Sequence, residues 1–223
     1  MENSHPSEET MERKYIDDKY KKSLLYHFIK RFTDIFFSIF GIIIMIPVFI
    51  IVSILIKKGS RGGVIFSQQR VGKDGKLFKM YKFRSMIVNA EELQDKLRDC
   101  NEMTGPMFKI REDPRITKLG KFIRRTSIDE LPQLFNILKG EMSLVGPRPN
   151  LPREVDEFDE NQRLKLLAKP GLTCYWQVMG RNKIGFEKWM KLDLKYIEER
   201  NTFIDFKLIF KTFFLLFGDK NAH

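Results

Sequence analysis

Residues Phe32 to Ile56 read FTDIFFSIFGIIIMIPVFIIVSILI, and the one charge in the run is Asp34, near its start. A continuous helix over this stretch is about 37 Å long, against a hydrocarbon core of about 30 Å. A helix apolar on every side at this length needs lipid around it. The run is too long for a signal peptide, and no small-residue cleavage site follows it. Pro47 stands in its middle, where it removes a backbone donor and pushes Ile46 away from helical geometry. Lys21, Lys22, Lys30 and Arg31 precede the run, and Lys57, Lys58 and Arg61 follow it. Positive residues favour the cytoplasmic side, so neither flank marks a translocated end. A helix that enters the bilayer, breaks at Pro47 and returns satisfies both flanks. A spanning helix with a proline in it is the alternative.

On the N-terminal side, residues 1–22 are polar and charged, the composition of a disordered segment or a surface helix. On the C-terminal side the character changes. VIFSQQRVGKDGKLFKMYKFRSM, from Val64, predicts two strands around a turn at Asp74-Gly75. NAEELQDKL predicts a helix capped by Asn89, and the region from Cys100 to Leu119 is loop-like. SLVGPRPNLP is a proline-rich loop, PREVDEFDENQRLKLLA a helix with an acidic start, and KPGLTCYWQVMGRN a short strand and a loop. FIDFKLIFKTFFLLFG is helical, but Asp205, Lys207 and Lys211 interrupt its apolar run. It suits an interfacial helix lying on lipid or packing on the body. These readings define an α+β protein with a β-hairpin and several helices.

The 223 residues suffice for one or two domains with a real core. The net charge of +11 and the pI near 9.6 point to an anionic partner: nucleic acid, an acidic membrane or a phosphorylated substrate. Cys100 and Cys174 lie far apart without a partner motif, and His5, His27 and His223 form no ligand pair at helical spacing. A disulfide framework, a zinc site and a thiol nucleophile are not indicated. Neither G-x-x-x-x-G-K-[ST] nor G-x-G-x-x-G occurs, so a conventional nucleotide-binding loop is absent.

RRTSIDELPQL, from Arg124 to Leu134, places Asp129 and Glu130 side by side. Leu131, Leu134, Phe135 and Leu138 form one apolar stripe of a helix that ends at Lys139 and Gly140. Either Ser127 caps it, with Glu130 completing a capping box, or Asp129 caps it and Pro132 falls in the first turn. Neighbours on a helix point about 100° apart, so the two acids cannot face each other across a substrate. They suit separate tasks on one phosphate: one attacks phosphorus, the other holds a divalent cation. Several cations fall where a diphosphate would need them. Lys82 and Arg84 share a face of the second strand, and Arg124 and Arg125 precede the acids. Arg148 stands between Pro147 and Pro149, and Arg181 sits in a Gly-Arg-Asn loop.

DPRITKLGKFIRRTSIDELPQLFNILKGEMSLVGPRP, FSQQRVGKDGKLFKMYKFRSM and KPGLTCYWQVMGRN together closely resemble the bacterial sugar transferase family, the monotopic phosphoglycosyl transferases, over Lys30 to Phe217. The resemblance implies transfer of a sugar-1-phosphate from a UDP-sugar to a polyprenyl (undecaprenyl) phosphate, giving polyprenyl diphosphate-sugar and UMP. It implies Asp129 as nucleophile, Glu130 as the Mg2+ ligand and Arg148 as a nucleotide contact. Lys82, Arg84, Arg124, Arg181 and Gln177 are further candidates for the nucleotide and its phosphates, with Asp193 beside them. It further implies a re-entrant helix broken at Pro47, on the cytoplasmic face of the bacterial inner membrane. Ile46 stands where the family often has serine, and Cys174 where glycine is common. The expected divisions are a polar tail (1–29), the re-entrant helix (30–58), a cytoplasmic catalytic domain (59–217) and a C-terminal tail (218–223). A short form is expected, lacking the N-terminal membrane bundle of longer relatives. Expected partners are the UDP-sugar, the polyprenyl phosphate and membrane lipid, with a homodimer left open. One-step transfer in a ternary complex is a rival mechanism. A membrane-tethered basic binding module is a rival of another class, but the cations are spread through separate motifs and do not form one basic helix face, so no nucleic acid is expected.

Overall fold

The computed structural model describes residues 19–218, apart from 103–104, 109, 111 and 181–183. Most of the expected N-terminal tail, and Arg181, therefore lie outside the described residues.

Helix α1 (Leu24–Gly59) begins six residues before the expected boundary at Lys30. Its start is set by Ser23, whose side chain accepts from the Tyr26 N–H at 3.1 Å. Lys57 and Lys58 occupy its last turn, where the helix dipole favours cations. The sequence led us to expect a break at Pro47, but α1 runs through it as one helix. One face of α1 buries Tyr26, Asp34, Ser38, Val52 and Ile56. The other exposes Phe28, Phe32, Phe36, Phe40, Ile43, Ile50 and Ile54. Along this exposed side Phe32, Phe36 and Phe40 follow each other at helical spacing, with successive ring centroids 6.2 and 6.4 Å apart.

Strands β1 (Ile65–Val71) and β2 (Leu77–Phe83) form the expected antiparallel hairpin, in register from Ile65 opposite Phe83 to Val71 opposite Leu77. Asp74 (φ 56°) and Gly75 (φ 77°) turn the chain in the left-handed region, which short polar residues and glycine enter most readily. Two shorter strands, β3 (Ser143–Val145) and β4 (Gly171–Thr173), pair in parallel. Just past β3 the backbone of Gly146 meets the backbone of Lys169 and Gly171 so closely that a side chain on either glycine would force the strands apart.

The remaining helices are α2 (Lys118–Arg125), α3 (Gln133–Lys139), α4 (Pro152–Asp156), α5 (Glu160–Arg163), α6 (Tyr175–Met179), α7 (Phe186–Glu199) and α8 (Thr202–Gly218). The expected helix at Asn89 is instead a series of turns ending in a 3-10 helix, Asp95–Cys100. The expected helix over PREVDEFDENQRLKLLA is divided, because Asp159 and Gln162 build a second capping box within it.

Side chains from β2, α3 and α1 make the core beneath the site. Phe78 and Met80 pack with Leu134, Ile137 and Met142, while Phe83 packs with Ile123, Val52 and Ile56. Phe83 is 1% exposed, and burying a side chain of this size contributes about 1.5–3 kcal/mol. Two charged residues of α1 hold β3. Asp34 accepts from Ser143 Oγ at 2.9 Å and Leu144 N at 2.8 Å. Lys30 Nζ donates to Val145 O and to Asp205 Oδ2, both at 2.8 Å. The lone acid of the apolar run thus has a structural task. Helix α8 packs through Asp205, Leu208 and Thr212, and exposes Phe203, Phe210, Phe213 and Phe214.

Candidate active site

Two elements bring the acids to the hairpin. Asn136 of α3 binds the edge of β2 as a neighbouring strand would. Its Oδ1 accepts from Tyr81 N at 2.9 Å, and its Nδ2 donates to Lys79 O at 2.7 Å and to Glu141 Oε2 at 2.6 Å. This splice fixes the turn preceding α3 against the end of β2. That turn is a 3-10 helix, Ile128–Glu130, entered through Ser127 in the left-handed region (φ 55°). Neither reading of the cap is realised: Ser127 makes no side-chain cap bond, and Pro132 stands at the N-cap of α3. Asp129 accepts no hydrogen bond from the described residues, so its carboxylate is not spent on a helix end.

Lys82 lies between the acids, 2.8 Å from Glu130 Oε1 and 4.0 Å from Asp129 Oδ2. Arg148 Nη1 donates to the same Glu130 oxygen at 3.2 Å. The two carboxylates are pushed in opposite directions. Burial raises the Asp129 pKa, and the charge of Glu130 adds to this against the pull of Lys82 and Arg124. Burial opposes the charge of Glu130 as well, but Lys82 and Arg148 outweigh it and hold this carboxyl below the usual range.

Lys82, Arg148 and Arg124 gather round the dyad, with Arg124 Nε donating to Ser85 Oγ at 2.8 Å. Arg84 is placed elsewhere. Its guanidinium donates to Arg61 O at 2.8 Å and Ser60 O at 3.0 Å, closing the end of α1. Gln177 is buried in α6. Asp193, fully buried in α7, lies 2.7 Å from Lys165 Nζ. Arg70, which the sequence reading did not single out, donates to Pro149 O at 3.2 Å and Gln68 Oε1 at 2.7 Å. Burial and the neighbouring Arg148 pull it down to about 10. Two arginines crowded at one loop are stabilised by an anion. Alternation along β1 was the signal that could have pointed to Arg70, since Gln68 and Arg70 share one face of the strand.

The buried Asp129 and the half-buried Glu130 thus stand among cations, on an α+β body carrying a helix that is long and apolar enough to cross a membrane by length and composition. The bacterial sugar transferase family model matches residues 25–219, and the chain belongs to that family. It is 50% identical over 186 residues to the galactosyl transferase CpsE of Streptococcus agalactiae serotype III, covering 82% of this chain and 41% of that protein. It is 43% identical over 189 residues to the undecaprenyl-phosphate galactose phosphotransferase of Salmonella typhimurium, covering 83% and 40%. It is 35% identical over 187 residues to the exopolysaccharide production protein ExoY of Rhizobium meliloti, covering 82% and 83%. The chain thus spans about two fifths of the length of the first two relatives and most of the third.

Proposed function

We propose that this protein transfers a sugar-1-phosphate from a UDP-sugar to a polyprenyl phosphate, giving UMP and a polyprenyl diphosphate-sugar, through a phosphosugar carried on Asp129. The observation that carries the reading is the unequal dyad. Glu130 is tied to Lys82 and Arg148, while the buried Asp129 accepts no hydrogen bond from the described residues. A carboxylate in that state is a competent nucleophile. An Asp129 oxygen attacks the phosphorus that bears the sugar. The bond from that phosphorus to the bridging oxygen breaks, and UMP leaves. The polyprenyl phosphate oxygen then attacks the same phosphorus and displaces Asp129. Lys82 and Arg148 face the negative charge that develops on the phosphoryl oxygens.

Magnesium fits the donor set present. Both hydrogen bonds to Glu130 fall on Oε1, and Oε2 accepts none from the described residues. Among the described residues no group of three or more metal-ligating side chains exists, and magnesium needs only one or two carboxylates when substrate phosphates complete its shell. Glu130 would hold it, and when bound it would neutralise the diphosphate.

The continuous helix α1 fits a placement with both of its ends on one side of the bilayer. Tyr26, near its start, donates to Asp205, and Ser60, at its end, accepts from Arg84, so both ends touch the same polar body. Lys30 and Ile56, both packed on that body, stand ~39 Å apart along an ideal helix. A spanning α1 would carry the body packed along this length, with its polar groups, through a hydrocarbon core of about 30 Å. The reading places the catalytic body on the cytoplasmic face, and the names of relatives point to polysaccharide assembly.

Purified protein in detergent, given UDP-galactose or UDP-glucose with undecaprenyl phosphate and Mg2+, tests the reaction. UMP and a lipid-linked sugar diphosphate should form together. Binding without turnover across a panel of UDP-sugars would refute it.

A further inference from the structure

Arg148 is held from two sides. Nη1 donates to Glu130 Oε1 at 3.2 Å, and the guanidinium carbon lies 5.6 Å from the ring centroid of Trp176. Trp176 is backed by Trp189, with centroids 4.8 Å apart and planes 27° from parallel. Trp189 is 3% exposed, and Lys165 Nζ lies 5.3 Å from its centroid. Lys165 is fixed in turn by Asp193 at 2.7 Å and by Asn150 Oδ1 at 2.6 Å. Asn150 belongs to the loop that carries Arg148, so the run of contacts from Arg148 through both indoles to Lys165 returns, by one hydrogen bond, to the loop where it began.

The chemistry of each contact differs. One hydrogen bond to Glu130 fixes a point and leaves the guanidinium able to swing about it. An indole face under the guanidinium fixes its plane, and arginine stacks on aromatic rings in this way. A planar fork can bind two oxygens of a diphosphate only if that plane is set beforehand.

We propose that Trp176 is a positioning residue for Arg148, holding the guanidinium plane ready for the diphosphate of a nucleotide. The inference rests on the assignment of Arg148 to the nucleotide made above. The stack also reports on itself. The chain contains two tryptophans in all, and both belong to it, so tryptophan emission, excited apart from the tyrosines, reads this stack.

Trp189→Phe leaves Trp176 as the single indole emitter. Titration of that protein with UDP should change its emission, and adding Arg148→Gln should abolish the change. In the UMP-release assay, Trp176→Leu should raise KM for the UDP-sugar about tenfold, the scale of one partly desolvated cation–π contact, with a smaller effect on kcat. Trp176→Phe should recover most of that loss. On an Arg148→Gln background, Trp176→Leu should add little, because the contact is already gone. A UDP response that persists without Arg148, or an equal penalty from Trp176→Leu with and without Arg148, would overturn the proposal and leave nucleotide binding standing. An absent UDP response together with absent UMP release from the unmutated chain would overturn the functional reading and this proposal with it. If Trp176→Leu does not fold, Trp176→Phe carries the same comparison at smaller amplitude: its KM penalty should appear with Arg148 and vanish in Arg148→Gln, and an equal penalty in both would overturn the proposal.

Discussion

Asp129 and Glu130 are adjacent in sequence and opposite in electrostatic state. Asp129 has a folded pKa above its unfolded value, so its ionised form costs stability as pH rises through the folded pKa and costs nothing below the unfolded one. Asp129→Asn removes that cost. We expect a raised Tm near neutral pH, by about 2–4 °C for each kcal/mol relieved, with the gain shrinking as pH falls into the carboxylate range. Thermal melts at several pH values would show this, and a lower Tm at every pH would refute it. Lys82 pulls the Asp129 pKa down, so Lys82→Met should move the acid limb of the UMP-release profile to higher pH as well as slow the reaction. An unmoved acid limb would mean that Lys82 does not act on Asp129. Arg148→Lys keeps the charge but loses the fork, and we expect activity to fall about tenfold or more, the scale of one charge-assisted hydrogen bond. Near-native rates would show that charge alone matters at this position. At this scale the sequence showed residue types well and partners poorly. Lys82 and Arg84 looked equivalent at two-residue spacing, yet β2 ends at Phe83, and Arg84 turns to the carbonyls at the end of α1. Asn136 carried no signal, because its work on the edge of β2 depends on a strand more than fifty residues earlier in the chain.

Among the elements, α1 was the most legible, since an apolar run of this length is stable as a helix only with lipid around it. Its cap at Ser23 and its continuity through Pro47 were not. A proline read in isolation breaks a helix, but one missing donor can be absorbed when every other turn is intact and both halves pack on the same body. Ile42 and Val48, on either side of Pro47, pack into adjoining clusters with the body. The same-side reading of α1 makes a direct prediction. Single cysteines at Leu25 and Ser60, in a background lacking Cys100 and Cys174, should be equally shielded from an impermeant thiol reagent added to intact cells. Labelling of just one of them from outside would establish a spanning helix. Of the two short strands, β4 was legible in KPGLTCYWQVMGRN, whereas β3 was hidden in proline-rich text read as a loop. They persist because Asp34 and Lys30 of α1 bind one strand and bare glycine backbone lets the two approach.

Among the described residues, the cations behind the net charge of +11 serve several separate tasks. Cations at the start of α1 hold β3, those near Asp129 surround the acids, and those closing α1 bind carbonyls. Both α1 and α8 expose aromatic side chains, and in the proposed reaction these would meet lipid, the prenyl phosphate arriving from there and the nucleotide from water. A site between two solvents favours a reaction in two halves, because the soluble product can leave before the lipid arrives. The central claim is therefore that the first half runs alone. Enzyme mixed with UDP-sugar and Mg2+, but no prenyl phosphate, should release a burst of UMP no larger than the amount of enzyme. Mass spectrometry should then find the phosphosugar on the peptide carrying Asp129, and Asp129→Asn should abolish both burst and adduct while keeping the circular dichroism spectrum of the parent. Steady turnover by folded Asp129→Asn protein in the presence of prenyl phosphate would contradict the covalent route and establish direct transfer.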